Sequence, residues 1–293
     1  MSPDLPTRAE IAARRAENAA GKAALGPGPS LQRHRTLSIP TPDNVSVRAR
    51  LLVPTASPRG VLVYLHGGGW VLGSIDTFDR LGRELARRSG WAVLMVDYAK
   101  APERRFPDAV EDAWAALQWV PEHAGAELVD LLTPPAEGWR IAVGGDSAGG
   151  NLAAVAALRA RDAGLLLDGQ LLIYPVTDSD LDRPSYRSDP ASRARLDEFW
   201  SLYCRDEQRT DPDAVPLRAS SLAGTAPALV VNAEFDALND EVDLYASRLA
   251  AEGVPVERHT MAGLHHGSIS HWGTAPAASE ALFVVAAWLN RAR

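Results

Sequence analysis

Cysteine is almost missing: Cys204 is the only one in 293 residues. That excludes an intrachain disulfide and a cysteine-built zinc site. Basic blocks are missing too. The net charge is −7, with 37 acidic residues against 30 Lys and Arg, and nothing in the chain would neutralise a run of phosphates, so a nucleic-acid partner is excluded. No stretch reaches the roughly 18 apolar residues of a membrane span, and Met1–Pro6 lacks the apolar core of a secretion leader. A reduced, cytoplasmic setting is the expectation. There is no internal repeat, no G-K-[ST] and no G-x-G-x-x-G, so a nucleotide site has no support. What remains is an ordinary globular composition, 46% hydrophobic and 23% charged, long enough for one large α/β domain.

Apolar runs alternate with helical patterns along most of the chain. Residues 7–25 have helix-forming composition with a weak apolar stripe, ended by Gly26-Pro-Gly-Pro29. His34–Ile39 and Val45–Val53 predict an antiparallel hairpin turning at Thr41–Asn44. Val61–Leu65, Trp91–Val96, Ile141–Val143, Gln170–Tyr174 and Ala228–Ala233 read as strands buried on both faces, followed by Val256–Met261. Helices are predicted over Phe78–Ser89, from Pro107, through the residues up to Arg161, after Asp236, and from Ala277 to Arg293. Such alternation implies a mostly parallel sheet with helices on both sides. The stretch 178–224, rich in Asp, Arg and Pro, breaks the pattern. It is too long for a plain loop and predicts an excursion from the sheet, with one short helical patch over Leu196–Tyr203.

Gly145-Asp146-Ser147-Ala148-Gly149 stands between a strand and a helix. G-x-S-x-G in that setting is the nucleophile elbow, a sharp turn that holds the serine hydroxyl in the open. The helix that follows points its positive end at Ser147. A serine needs a base, and the base needs an orienting group. In an open α/β sheet these gather at the carboxyl ends of strands. Beyond Ala228–Ala233 lie Glu234 and Asp236; Asp236, in the turn, is the better placed acid. Beyond Val256–Met261 lie His265 and His266, between which local order does not choose. One oxyanion donor is the Ala148 N–H, and His66-Gly-Gly-Gly-Trp70 can supply others from a neighbouring strand.

Together these motifs resemble the hormone-sensitive-lipase-like branch of the α/β-hydrolases, which includes bacterial carboxylesterases and acetyl esterases. The resemblance is carried by His66–Trp70, Asp97-Tyr98 with Ala101-Pro-Glu103, Gly145–Asn151, Asp236 with Leu238 and Asp240-Glu241, and Gly263-Leu-His-His-Gly267. It implies an eight-stranded α/β-hydrolase sheet with a small helical cap formed by about 1–35 and 178–222. It also implies a triad of Ser147, Asp236 and His266, with Gly68, Gly69 and Ala148 as oxyanion donors. The implied activity is hydrolysis of small, short-chain acyl esters, with no metal or organic cofactor; a homodimer is left open. Asp146, Trp70, Phe199 and Trp200 are candidate substrate contacts. Two departures from the family pattern, Ser268 after His-Gly and Ala99-Lys100, bear on the pocket. Rival readings are cleavage of an amide, lactone or carbonate by the same triad, or a binding protein like the plant hormone receptors of this fold, which lack the histidine.

Overall fold

The computed structural model describes residues 5–41, 45–123 and 139–291. The expected turn at 42–44, the first four residues and the last two lie outside them. Eight strands form one sheet: β1 Arg33–Pro40, β2 Ser46–Val53, β3 Val61–Leu65, β4 Ala92–Val96, β5 Ile141–Asp146, β6 Gly169–Ile173, β7 Ala228–Phe235 and β8 Val256–His265. Their spatial order is β1-β2-β4-β3-β5-β6-β7-β8. The hairpin β1–β2 and the β2–β4 pair are antiparallel and the remaining pairs parallel.

The helices are α1 Arg8–Ala23, α2 Asp79–Ser89, α3 Asp108–His123, α4 Ala148–Asp162, α5 Pro184–Ser188, α6 Pro190–Tyr203, α7 Asn239–Ala251 and α8 Pro276–Arg291. The continuous apolar strands serve two cores because successive side chains face opposite ways. Val61, Val63 and Leu65 pack with α3, α4 and α7, while Leu62 and Tyr64 pack with α2 and α8. Among the described residues no helix is long and apolar enough to cross a membrane.

Two expectations change. The excursion between β6 and β7 carries two helices, and α6 starts at Pro190, well before Leu196. Asp189 caps it by accepting the Ser192 N–H at 3.0 Å, with Pro190 at the first helical position. Proline there starts a helix rather than breaking one, since that N–H has no intrahelical partner anyway. β8 also runs on to His265, past a register shift against β7 between Ala233 and Phe235.

α1 buries only Ile11 and is held mainly by polar contacts. Thr7 and Glu10 form a reciprocal capping box. Arg15 donates to the Val71 and Ala101 carbonyls, both at 2.9 Å, and forks onto Glu103. Arg14 pairs with Glu198 on α6. The weak apolar stripe of this helix thus reflects docking by guanidinium groups, which is why composition alone did not place it.

Candidate active site

β5 ends in the elbow. Ser147 sits at φ 56°, ψ −119°, a region that costs a non-glycine residue energy and persists where surroundings impose it. Its N–H donates to the Ile173 carbonyl at 2.9 Å and its own carbonyl accepts from Asn151 at the start of α4. A Cβ on Gly149 would overlap the Leu65 carbonyl oxygen, and one on Gly145 would overlap the Gly149 backbone. The two glycines therefore permit the turn to press against β3.

Ser147 Oγ lies 2.9 Å from His266 Nε2. His266 Nδ1 lies 2.7 Å from Asp236 Oδ2. A carboxylate only accepts, so the neutral ring carries its proton on Nδ1, and Nε2 is left to accept from the serine hydroxyl. Asp236 is held in turn, its Oδ1 accepting the Leu238 N–H at 3.0 Å. Burial pulls the His266 imidazolium acidity up, yet the charge and hydrogen bond of Asp236 outweigh it, and the net pKa lies above the ordinary histidine value. The Asp236 side chain is 2% exposed and the imidazole 37%.

The alternatives left open by local order are occupied elsewhere. Glu234 accepts the Gly263 N–H at 2.6 Å, tying β7 to β8. His265 stacks on Phe235 with ring centroids 4.8 Å apart, while His259 bonds Glu257 within the strand. His66 is stacked between Phe78 and Tyr98, and burial drives its pKa down to about 3, so it is a neutral structural ring. Its Nδ1–H donates to the Gly67 carbonyl at 2.8 Å.

The loop after β3 folds over the serine. Gly68 and Gly69 adopt φ of +128° and +60°, open to glycine and strained for other residues. Among the described residues the N–H groups of Gly68, Gly69 and Ala148 have no acceptor. The loop is pinned to the elbow by Asp146, whose Oδ1 accepts the Tyr64 hydroxyl at 2.9 Å and the Gly67 N–H at 3.0 Å. Burial raises the Asp146 pKa against the pull of those two donors. Asp146→Ala would strand both donors, an expected stability loss of about 2–4 kcal/mol, together with a lower kcat as the loop loosens. Asp146→Asn keeps an acceptor oxygen for both and is expected to stay within about 1 kcal/mol of the parent. Chemical denaturation of the two variants checks this; equal losses would mean that the carboxylate charge, not its hydrogen bonds, holds the loop.

A cavity of about 450 Å³ opens over this group, lined by Gly68, Gly69, Ser147, Asp236 and His266 among others. Phe199 and Asp146 are among the residues that line it. Trp70 and Trp200 do not, which corrects their place as pocket residues. Both are fully buried. Trp70 lies flat on Tyr203 at 4.3 Å and against Trp200 at 4.7 Å, joining the glycine loop to α6. Neighbouring helical residues point about 100° apart, so Phe199 faces the cavity while Trp200 faces the core. Ser268 and Lys100 stay off the cavity wall as well: the Ser268 hydroxyl donates to the His265 carbonyl at 2.6 Å, and Lys100 pairs with Asp97. The sequence reading missed wall residues that arrive from afar, notably Asn18 and Lys22 on α1, Tyr186 on α5 and Arg195 on α6. No local motif marks them; only the docking of α1 through its arginines would have pointed to it.

Comparison with known proteins gives the same picture. Residues 62–270 match a family described as having the α/β-hydrolase fold. The carboxylic ester hydrolase LipN of Mycobacterium tuberculosis is 40% identical over 90% of this chain and 73% of its own length. Ethyl acetate hydrolase of Pseudomonas putida is 38% identical over 85% of this chain and 80% of its own length. A solved thermophilic carboxylesterase cloned from a metagenomic library superposes with a TM-score of 0.88 at 38% identity, covering 97% of both chains. The chain belongs to the α/β-hydrolase fold family, in its hormone-sensitive-lipase-like branch.

Proposed function

We propose that this protein is a serine carboxylesterase that hydrolyses small, short-chain acyl esters, with Ser147 as nucleophile, His266 as base and Asp236 orienting it. The reading rests above all on the unbroken chain from Ser147 Oγ to His266 Nε2 at 2.9 Å and from His266 Nδ1 to Asp236 Oδ2 at 2.7 Å. Relatives named as ester hydrolases support the reaction class.

Ser147 Oγ attacks the ester carbonyl as its proton passes to His266 Nε2. The C–O double bond opens to an oxyanion, which the N–H groups of Gly68, Gly69 and Ala148 receive; each such donor is worth about 10²–10³ in rate. His266 then protonates the alkoxide leaving group, and the tetrahedral centre collapses to an acyl-serine. Water, deprotonated by the same imidazole, repeats the cycle and releases the acid. The first turn of α4 aims its unpaired N–H groups at the developing charge. In this reading α1 and the segment carrying α5 and α6 form the cap, since Asn18, Lys22, Tyr186 and Phe199 from those elements close the cavity.

A cavity of about 450 Å³ suits a small ester. Across p-nitrophenyl acetate, butyrate, octanoate and laurate, kcat/KM is expected to peak at acetate or butyrate. A peak at octanoate or beyond would sink the short-chain part of the reading while leaving the esterase; no turnover of any member would sink both.

A further inference from the structure

Lys22 is a positive charge that the protein itself does not match. It projects from α1 into the wall of the cavity. Its Nζ donates to the Ser270 hydroxyl and lies 4.8 Å from the Phe78 ring centre. Among the described residues no carboxylate comes within ion-pair distance of it. Burial lowers its pKa, and the field of Asp146 resists that shift. Asp146 nevertheless spends its bonds on Tyr64 and Gly67. Leaving an ammonium half-buried without a counter-ion is costly, and helices offer lysine many solvated positions that avoid the cost.

The same cavity carries a second cation. Arg195 on α6 lines it without a close ion pair or hydrogen bond among the described residues, its charge acting at longer range on Asp189. It also lines a neighbouring groove between α1 and α6, which shares Asn18, Leu72 and Phe199 with the cavity. Of the cavity's carboxylates, Asp236 is committed to His266, Asp146 to the glycine loop and Asp189 to the α6 N-terminus. None of these carboxylates makes an ion pair with Lys22, whose ammonium remains open to an anion in the cavity.

We propose that Lys22 anchors a carboxylate on the substrate, with Arg195 as a second cation at the rim, so that this protein selects small esters bearing a negative group remote from the scissile bond. The inference rests on the esterase reading above. One ammonium beside one hydroxyl matches a monoanion such as a carboxylate better than a dianionic phosphate. Charge-assisted hydrogen bonds of this kind are about twice as strong as neutral ones, and a cavity partly shut from water screens them little.

The test compares kcat/KM by pH-stat for two matched pairs: monoethyl adipate against ethyl hexanoate, with the charge on the acyl side, and 4-acetoxybenzoate against 4-methylphenyl acetate, with the charge on the alcohol side. The parent chain is expected to favour the anionic member of at least one pair. In Lys22→Met that ratio should fall about tenfold or more, and in Lys22→Arg, which keeps the charge, it should persist. Thermal melting of each variant separates a lost contact from a lost fold. Preference for the neutral member of both pairs overturns the inference and leaves the esterase standing. So does an equal fall for both members in Lys22→Met, because Lys22 would then merely balance Asp146. If no ester is turned over, the esterase reading fails. Calorimetric titration with adipate then decides this inference alone: binding weakened about tenfold in Lys22→Met supports it, and absence of adipate binding to the parent chain overturns it.

Discussion

Ser147→Ala is expected to lower kcat on p-nitrophenyl acetate and butyrate by about 10⁴–10⁶-fold, because members of such a triad act as a unit and removing one forfeits nearly the whole effect. The loss should be nearly pure kcat. Substrate still meets Phe199 and the glycine loop, and the N–H groups of Gly68, Gly69 and Ala148 remain where they are. A residual acceleration of about 10³ over water is expected from those donors alone. The fold should survive, since the serine side chain makes its one hydrogen bond to His266 and the turn is held by backbone contacts to Ile173 and Asn151. A fluorophosphonate should add one equivalent to the parent chain, located at Ser147 by mass spectrometry, and none to the variant. A variant that keeps more than about a hundredth of the parent rate would show that another group attacks the ester.

Asp236→Asn is expected to cost about 10⁴ in kcat, by way of a proton in the wrong place. Asp236 Oδ1 accepts the Leu238 N–H, and Oδ2 faces His266 Nδ1. In the amide the oxygen would stay with Leu238 and the NH2 group would face Nδ1. Nδ1 must then accept, the ring proton moves to Nε2, and Nε2 can no longer take the serine proton. The pH dependence adds an independent readout. With its pKa raised, His266 is expected to place the acid limb of kcat/KM above the ordinary histidine value of 6.5. Below that limb the ring is protonated and cannot act as base. In Asp236→Asn the carboxylate that raises it is gone, so the limb should move to lower pH. The stability linkage has the opposite sense to activity. A raised folded-state pKa stabilises below about pH 6.5 and loses that contribution as pH rises through the higher value, so the His266–Asp236 pair is strongest where the enzyme is idle. An acid limb that stays put in Asp236→Asn would detach Asp236 from His266.

Much of the site was legible because it is built from short motifs at strand ends. Gly145–Gly149 announces its turn through residues that touch one another, and the overlap that a Cβ on Gly149 would suffer with Leu65 is the reason the motif has that form. The hairpin, the six parallel strands and the helices between them follow from hydrophobic period, which is a local property. Position alone favours Asp236 as the acid, because it follows the strand in the turn while Glu234 lies within β7. The histidine was not decided that way: His265 and His266 share a neighbourhood in sequence, and it is the end of β8 that sends one onto Phe235 and the other toward Ser147. Trp70 and Trp200 misled for a related reason. A tryptophan beside a glycine loop is equally suited to grip substrate or to fill the core, and the choice was made by Tyr203, which stacks on Trp70 from 133 positions along the chain.

The sequence by itself determined the fold class, the order of the strands along the chain, the elbow and the glycine loop, because each depends on residues within a few positions of one another and on a hydrophobic period that any short window reveals. Local order left His265 and His266 open and only the family resemblance pointed to His266; the tertiary structure alone decided which aromatics are core, and that α1 returns across the molecule to bring Lys22 and Asn18 to the cavity wall. Those outcomes depend on contacts between residues far apart in the chain, whose free energy comes from packing and charge pairing that no local pattern encodes.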